Sequence, residues 1–491
     1  MKHVLAIDQG TTGSTCLVID ATGRIVGRGY REIPQHFPQP GWVEHDARDL
    51  VACTLAAGRD AIAQAKAMPD AIGITNQRET VVMWDRTTGE PVGRAIVWQD
   101  RRTAARCAEL ADESDAIAAR TGLVLDPYFS ATKIEWLLSH EAIAKRADRG
   151  ELIAGTVDTW LIWNLTGGSV HATDPTNASR TMLYDIGSLD WSDELCRLFG
   201  VPRSILPEVR ASSASFGIAA REHFGAEMPI HGVAGDQQAA LYGQGCWRAG
   251  EGKNTYGTGA FLLLNTGRQR AAAGDGLLAT VACDETGGAA YALEGAIFIA
   301  GAAIQWLRDG LGIVERAADT ERLAALVDST GGVYFVPALV GLGAPHWEPG
   351  ARGTIVGLTR GTTRAHLARA ALEAMAYSTA DVLALMRRRS GVAFDRLRVD
   401  GGATENAWLM QFQADVLGVP VERPDVIETT ALGAAGLAGV ATGVWSSASS
   451  FLATRTYQRF EPGSGASAAR DGAREWARAV RTALAWARDR G

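Results

Sequence analysis

The sequence has no long hydrophobic run, no excess of positive charge, no paired cysteine motif and neither of the common nucleotide-binding fingerprints. Each absence removes a class of function. The longest candidate membrane run, residues 295–304, is ten residues long and is flanked by Glu294 and Gln305. A spanning helix needs about twenty apolar residues. At the N-terminus, Lys2 and His3 are followed by four apolar residues and then Asp8, which is too short for a signal peptide. The net charge of −7 argues against a general nucleic-acid binder, which carries a basic stripe. The six cysteines (Cys16, Cys53, Cys107, Cys196, Cys246 and Cys283) are scattered, with no C-x-x-C and no metal-like spacing. They read as free thiols in a reducing compartment. These features predict a cytoplasmic protein without a membrane span or a nucleic-acid partner.

The nucleotide fingerprints fail on particular residues. Gly252-Lys253 is followed by Asn254, so there is no phosphate-binding G-x-x-x-x-G-K-[ST]. Gly257 and Gly259 lead to Leu262, so there is no G-x-G-x-x-G. Neither a P-loop nor a dinucleotide site is supported.

What is present is a chain of 491 residues, enough for two or three domains. Short β-like runs at 4–7, 16–19, 71–75, 81–84 and 95–98 alternate with helical periodicity at 47–67 and 104–109, which predicts an α/β protein. The stretch GQGCWRAGEGK, residues 243–253, holds four glycines between apolar blocks and reads as a hinge. Beyond it, NTYGTGAFLLLN (254–265) and LRVDGGATENAWLMQ (397–411) again place glycine loops beside strands, as the opening segment does. This hints at two related domains facing each other. Residues 468–490 read as an amphipathic helix with Trp476, Val480 and Leu484 on one face.

Three local features could carry chemistry. The loop Gly10-Thr11-Thr12-Gly13-Ser14 follows Asp8 and offers unobstructed N–H groups and hydroxyls, a nest that suits anionic oxygens. A carboxylate beside it makes sense if a cation such as Mg²⁺ lies between. A plain hairpin turn fits the same residues. Asp236, before an Ala-rich run, fits either a helix N-cap or a reacting carboxylate. Arg78-Glu79 fits either a solvated pair or a polar site.

Taken in order, IDQGTT (7–12), TNQRET (75–80), IVWQDRR (96–102), DPYFSATK (126–133), GTVDTWLIWNLT (155–166), TNASRTML (176–183), AGDQQAALYGQ (234–244), NTYGTG (254–259), GLGAPHWEPGARG (341–353) and VDGGATEN (399–406) resemble the FGGY carbohydrate kinases. The resemblance covers nearly the whole chain up to about residue 445. The NQRE and DPYFSATK phrases are similar to those of members that act on glycerol.

The resemblance implies two actin-like, ribonuclease H-like ATPase domains flanking a catalytic cleft. The expected units are 1–246 with the polyol site and first phosphate loop, 253–445 with the nucleotide, and a helical tail, 446–491, packed on the second. It also implies ATP with Mg²⁺, glycerol as acceptor, sn-glycerol 3-phosphate as product, and a homo-oligomer, dimer or tetramer. A related kinase for another polyol or ketose is the alternative.

By resemblance, Asp236 is the general base and, with Asp8, stands at the metal. Arg78, Glu79, Trp98, Tyr128, Asp236, Gln237 and Phe261 match the polyol contacts. Thr11, Thr12, Gly13, Thr15, Thr258, Gly301, Gln305, Gly402 and Asn406 match positions around ATP. Two departures stand out. The family loop commonly continues Ser-Ser-Arg, whereas this chain has Gly13-Ser14-Thr15 and so lacks an arginine. A regulatory bisphosphate loop is also degraded: Glu227 stands where a cation is expected, and His223 is one residue out of place for a phosphorylated histidine.

Overall fold

Residues 4–7 are apolar at consecutive positions and all are fully buried, the signature of a strand covered on both faces. The computed structural model, which describes residues 1–489, builds this run into the centre of a six-stranded sheet. Its strands are β1 (His3–Gln9), β2 (Gly13–Asp20), β3 (Ile25–Glu32), β4 (Ala71–Asn76) and β5 (Met228–Gly235), with a two-residue edge strand, Ile218–Ala219. Strands β1, β2 and β3 pair as antiparallel neighbours, while β1, β4 and β5 run parallel.

The second sheet repeats this arrangement with β6 (Gly252–Tyr256), β7 (Ala260–Gly267), β8 (Leu278–Cys283), β9 (Ala289–Ile297), β10 (Leu397–Asp400), β11 (Val421–Pro424) and β12 (Tyr457–Phe460). Here β6–β7 and β7–β9 are antiparallel, and β6, β10 and β11 are parallel. The duplicated α/β architecture expected from the two glycine loops is present.

The helix expected over 47–67 is α1 (Ala47–Ala65), capped by Asp46, whose side chain accepts from Arg48 N, and stopped at Lys66 in a left-handed conformation. The strand expected at 95–98 ends sooner, at Ala95–Ile96, so Trp98 lies in the loop beyond it. The C-terminal helix expected over 468–490 is Ala466–Arg488; Arg490 lies outside the described residues. Trp476 anchors this helix by stacking on Tyr377 and donating from Nε1 to Asp381 Oδ2 at 2.8 Å.

Two helices join the halves. Helix α2 (Asp236–Gly243) follows β5, and a second, Thr429–Ala441, comes from the far end of the chain. The second helix belongs by sequence to the later half, yet it lies on β1, β4 and β5 of the first sheet and crosses α2. Its composition explains this. The sequence TTALGAAGLAGVA carries almost no bulk, so backbones can approach closely. A Cβ at Gly433 would sit 1.8 Å from Ala239 O. Among the described residues no helix is long and apolar enough to cross a membrane.

The crossing yields a sign prediction. Alanine for glycine inside a helix normally adds about 1 kcal/mol. Gly433→Ala should instead lower the thermal unfolding midpoint, because overpacking costs roughly 1–3 kcal/mol or more at a rigid contact. A raised midpoint would contradict the close crossing.

Candidate active site

The parallel register brings Gln9, Asn76 and Gly235 side by side at the carboxyl edge of the first sheet. Ligands bind at such edges in open α/β sheets. The chain leaves β4 into Gln77-Arg78-Glu79-Thr80, and it leaves β5 directly into Asp236. Asp8, the Arg78-Glu79 turn and Asp236 therefore converge by topology.

Arg78 and Glu79 are not a solvated surface pair. They are 3% and 1% exposed. Thr80 N donates to Arg78 O at 2.7 Å around Glu79, whose φ is +64°. This is a γ-turn with a non-glycine residue in the left-handed region, a strained arrangement that persists only where its surroundings hold it. They do. Arg180 Nε donates to Glu79 Oε1 at 2.7 Å, and Ser130 Oγ donates to Glu79 O at 2.9 Å.

Arg78 makes a forked bond to Glu294, with Nη1 at 2.7 Å from Oε2 and Nη2 at 3.2 Å from Oε1. Arg180 Nη2 reaches the same carboxylate at 3.1 Å. Glu294 comes from β9, so a residue of the second sheet completes a cluster rooted in the first. Burial would raise Glu294, but Arg180 and Arg78 overcome it and hold the carboxyl at about 2. Gly235 makes room: a Cβ there would come within 2.7 Å of Arg78 Cγ.

Asp236 is the first residue of α2 rather than its cap; Gly235 holds that position and its own backbone N–H is taken by Thr176 Oγ1 at 2.8 Å. The Asp236 side chain stays a third exposed and its Oδ1 lies 3.2 Å from Arg78 Nε. Burial raises its pKa despite Arg78. Asp8 is pushed up to about 7 by burial, with Asp236 adding to the effect. Asp8 makes no ion pair among the described residues.

An aromatic wall borders the cluster. Trp98 and Tyr128 meet edge to face at 5.4 Å. Trp98 Nε1 donates to Thr11 Oγ1 at 2.9 Å, which ties this wall to the first glycine loop. That loop is the β1–β2 hairpin, closed by Gly10 N donating to Gly13 O at 3.0 Å. Thr12 is exposed at its tip, and Thr15 pairs across the strands with Asp8, on the same face of the sheet. Phe261 lies half-buried on β7, opposite Thr255.

The remaining predicted residues form a separate strip on the second half. Gly257, Thr258 and Gly259 make the β6–β7 hairpin, with Gly257 and Thr258 exposed. The hairpin docks on the start of the helix Gly301–Asp309, where Gly301 N donates to Gly257 O and Ala300 N to Thr258 O. Gln305 is exposed on that helix, and Gly402 opens onto free space just past β10. Asn406 caps the helix Ala407–Leu417 by accepting from Leu409 N at 2.9 Å and donates to Thr320 Oγ1 at 3.3 Å.

Sequence reasoning did not single out Arg180, Glu294 or Lys253. Arg180 sits inside the TNASRTML phrase, Glu294 served only as the polar flank of an apolar run, and Lys253 was considered only as a failed P-loop lysine.

The cluster predicts its own fragility. Glu294→Gln leaves two buried guanidinium groups without their shared counter-charge. Removing one partner of a buried pair costs about 3–5 kcal/mol. The variant should unfold at markedly lower temperature or denaturant than wild type; an unchanged midpoint would show that the cluster carries no net charge coupling.

Comparison with known proteins identifies the family. The model of the FGGY family of carbohydrate kinases matches in both its parts, the N-terminal domain over residues 3–243 and the C-terminal domain over 252–442. Glycerol kinase 2 of Thermotoga maritima is 53% identical, covering 99% of each chain. A glycerol kinase of Bordetella parapertussis is 54% identical over 99% of this chain and 98% of its own. The crystal structure of Plasmodium falciparum glycerol kinase with ADP superposes with a TM-score of 0.93 at 36% identity, covering 99% of this chain and 98% of that one. This chain belongs to the FGGY family of carbohydrate kinases.

Proposed function

We propose that the enzyme transfers the γ-phosphate of ATP to glycerol, giving sn-glycerol 3-phosphate and ADP. The observation that carries the reading is the convergence of Arg78, Glu79 and Asp236 in one ion-pair cluster beside the Trp98–Tyr128 wall. Relatives at about half identity over the full chain that bear the name glycerol kinase support it.

Glycerol presents three hydroxyls, each both donor and acceptor. Arg78 can only donate and ionised Glu79 can only accept, so together they orient the hydroxyls. Trp98, Tyr128 and Phe261 face the carbon side. Asp236 takes the proton from a terminal hydroxyl as that oxygen attacks the γ-phosphorus in line, and the bond from phosphorus to the β–γ bridging oxygen breaks to release ADP. Burial makes Asp236 a stronger base, and Arg78 3.2 Å away favours its charged form against that rise.

Thr11, Thr12 and Gly13 on the first hairpin and Thr258 on the second hold the phosphates, with Gly301, Gln305, Gly402 and Asn406 around the nucleotide. Among the described residues Asp8 has no ion-pair partner, and it is lifted by burial and by Asp236, so a hard cation fits beside it. Asp8 and Asp236 would hold Mg²⁺, which neutralises phosphate charge when bound. In this reading the first unit, 1–246, carries the polyol and the second, 253–445, the nucleotide, with 446–491 as a tail.

Two measurements test the reading. Asp236→Asn should lower glycerol-dependent ADP release by at least about a hundredfold, the usual size of positioned proton transfer. A variant near wild-type rate would remove Asp236 as the base. Thr15→Arg would place a guanidinium opposite Asp8, at the position where the family commonly has one. The KM for ATP should fall by about tenfold or more, since a charge-assisted hydrogen bond is worth about 1.5–3 kcal/mol; an unchanged KM would show that Thr15 is no handicap to nucleotide binding.

A further inference from the structure

Lys253 is fully buried on β6, the first strand of the second sheet. Its ammonium does not pair with a carboxylate within 4 Å among the described residues. It donates instead to Gln237 Oε1 at 2.5 Å and to Thr255 Oγ1 at 2.6 Å. Burying an ammonium against neutral acceptors is costly, and burial does lower its pKa, against the pull of Asp400, Asp236 and Glu294. The arrangement needs a reason beyond packing.

Gln237 supplies one. A carboxamide is a donor at one end and an acceptor at the other, and nothing intrinsic fixes which end faces a substrate. Lys253 has only donors, so it can bond only the oxygen. That choice leaves Gln237 Nε2, with two N–H groups, as the end free to meet a hydroxyl oxygen. Gln237 adjoins Asp236 at the start of α2 and belongs to the first half, whereas Lys253 belongs to the second. The bond therefore spans the halves and orients the amide at the same time.

We propose that Lys253 is a positioning residue for the acceptor: it locks the Gln237 amide with its N–H groups toward the polyol, beside Asp236. The inference rests on the glycerol phosphotransferase reading. It makes Gln237 a dedicated donor, complementary to the acceptor-only Glu79. It also makes acceptor binding sensitive to how the second sheet sits on the first.

The test is a set of steady-state measurements of ADP release, with glycerol varied at saturating Mg·ATP and Mg·ATP varied at saturating glycerol. Wild type, Lys253→Met, Gln237→Leu, the double variant and Lys253→Arg are compared, with thermal midpoints recorded alongside. Lys253→Met should raise the glycerol KM by at least about tenfold, the size of one charge-assisted hydrogen bond, and leave the ATP KM unchanged. The double variant should be no worse than the poorer single one, because both changes remove the same oriented donor. Lys253→Arg should recover part of the loss. An unchanged glycerol KM in Lys253→Met, or losses that multiply in the double variant, would overturn the role of Lys253. If Lys253→Met does not fold, Lys253→Gln, a neutral side chain whose amide can bond either end of the Gln237 amide and so fixes neither, is judged by the same two criteria. Wild type whose ADP release does not depend on glycerol would instead overturn the functional reading on which the inference rests.

Discussion

The structure depends on one buried cluster of charge. Arg78, Glu79, Arg180 and Glu294 are all nearly inaccessible and are joined by four hydrogen bonds of 2.7–3.2 Å. Taking such groups out of water costs several kcal/mol each, recovered only when every charge meets an opposite one in good geometry. Two cations and two anions balance here. Arg180 also lies over the rings of Phe129 and Tyr128, with its guanidinium carbon 5.2 and 5.9 Å from their centres. Because Glu294 comes from the second sheet, the cluster exists only when the sheets are docked. It holds the strained turn at Glu79 and leaves Arg78 Nε facing Asp236.

The duplicated fold explains why charge can gather there. Each sheet ends its central parallel strands at one edge, and each begins with a hairpin carrying glycine and threonine. Docking the two places one loop near the Trp98–Tyr128 pair, through the Trp98–Thr11 bond, and the other against the helix that starts at Gly301. The small-residue helix Thr429–Ala441 crosses α2 at Ala239 and Gly243 and covers the first sheet, so the later part of the chain braces the helix that begins with Asp236. Stability and the site thus share the same contacts between halves.

What could be read from sequence follows from locality. Strands β1 and β4 announce themselves as short apolar runs, and the glycine loops mark the hairpins between or after strands. Asp8 is legible because it ends such a run. The burial of Arg78-Glu79 was not legible, since adjacent opposite charges look the same in solvent and in a core. Their partners lie 101 and 216 residues away, at Arg180 and Glu294, and no pattern within a window links them. Asp236 before an Ala-rich run looks like a cap, but the backbone turns at Gly235 instead. The helix Thr429–Ala441 reads as part of the second half because sequence order says nothing about which sheet its small face will meet.

In the proposed reading, Arg78, Glu79 and Asp236 are together complementary to all three hydroxyls of glycerol. The most direct measurement compares kcat/KM at saturating Mg·ATP for glycerol, 1,2-propanediol and 1,3-propanediol. A site whose buried polar groups are left unpaired by a missing hydroxyl rejects the analogue strongly, so both diols should fall behind glycerol by a factor on the order of 10⁴. Comparable values for glycerol and either diol would mean that the cluster supports the fold without reading the substrate.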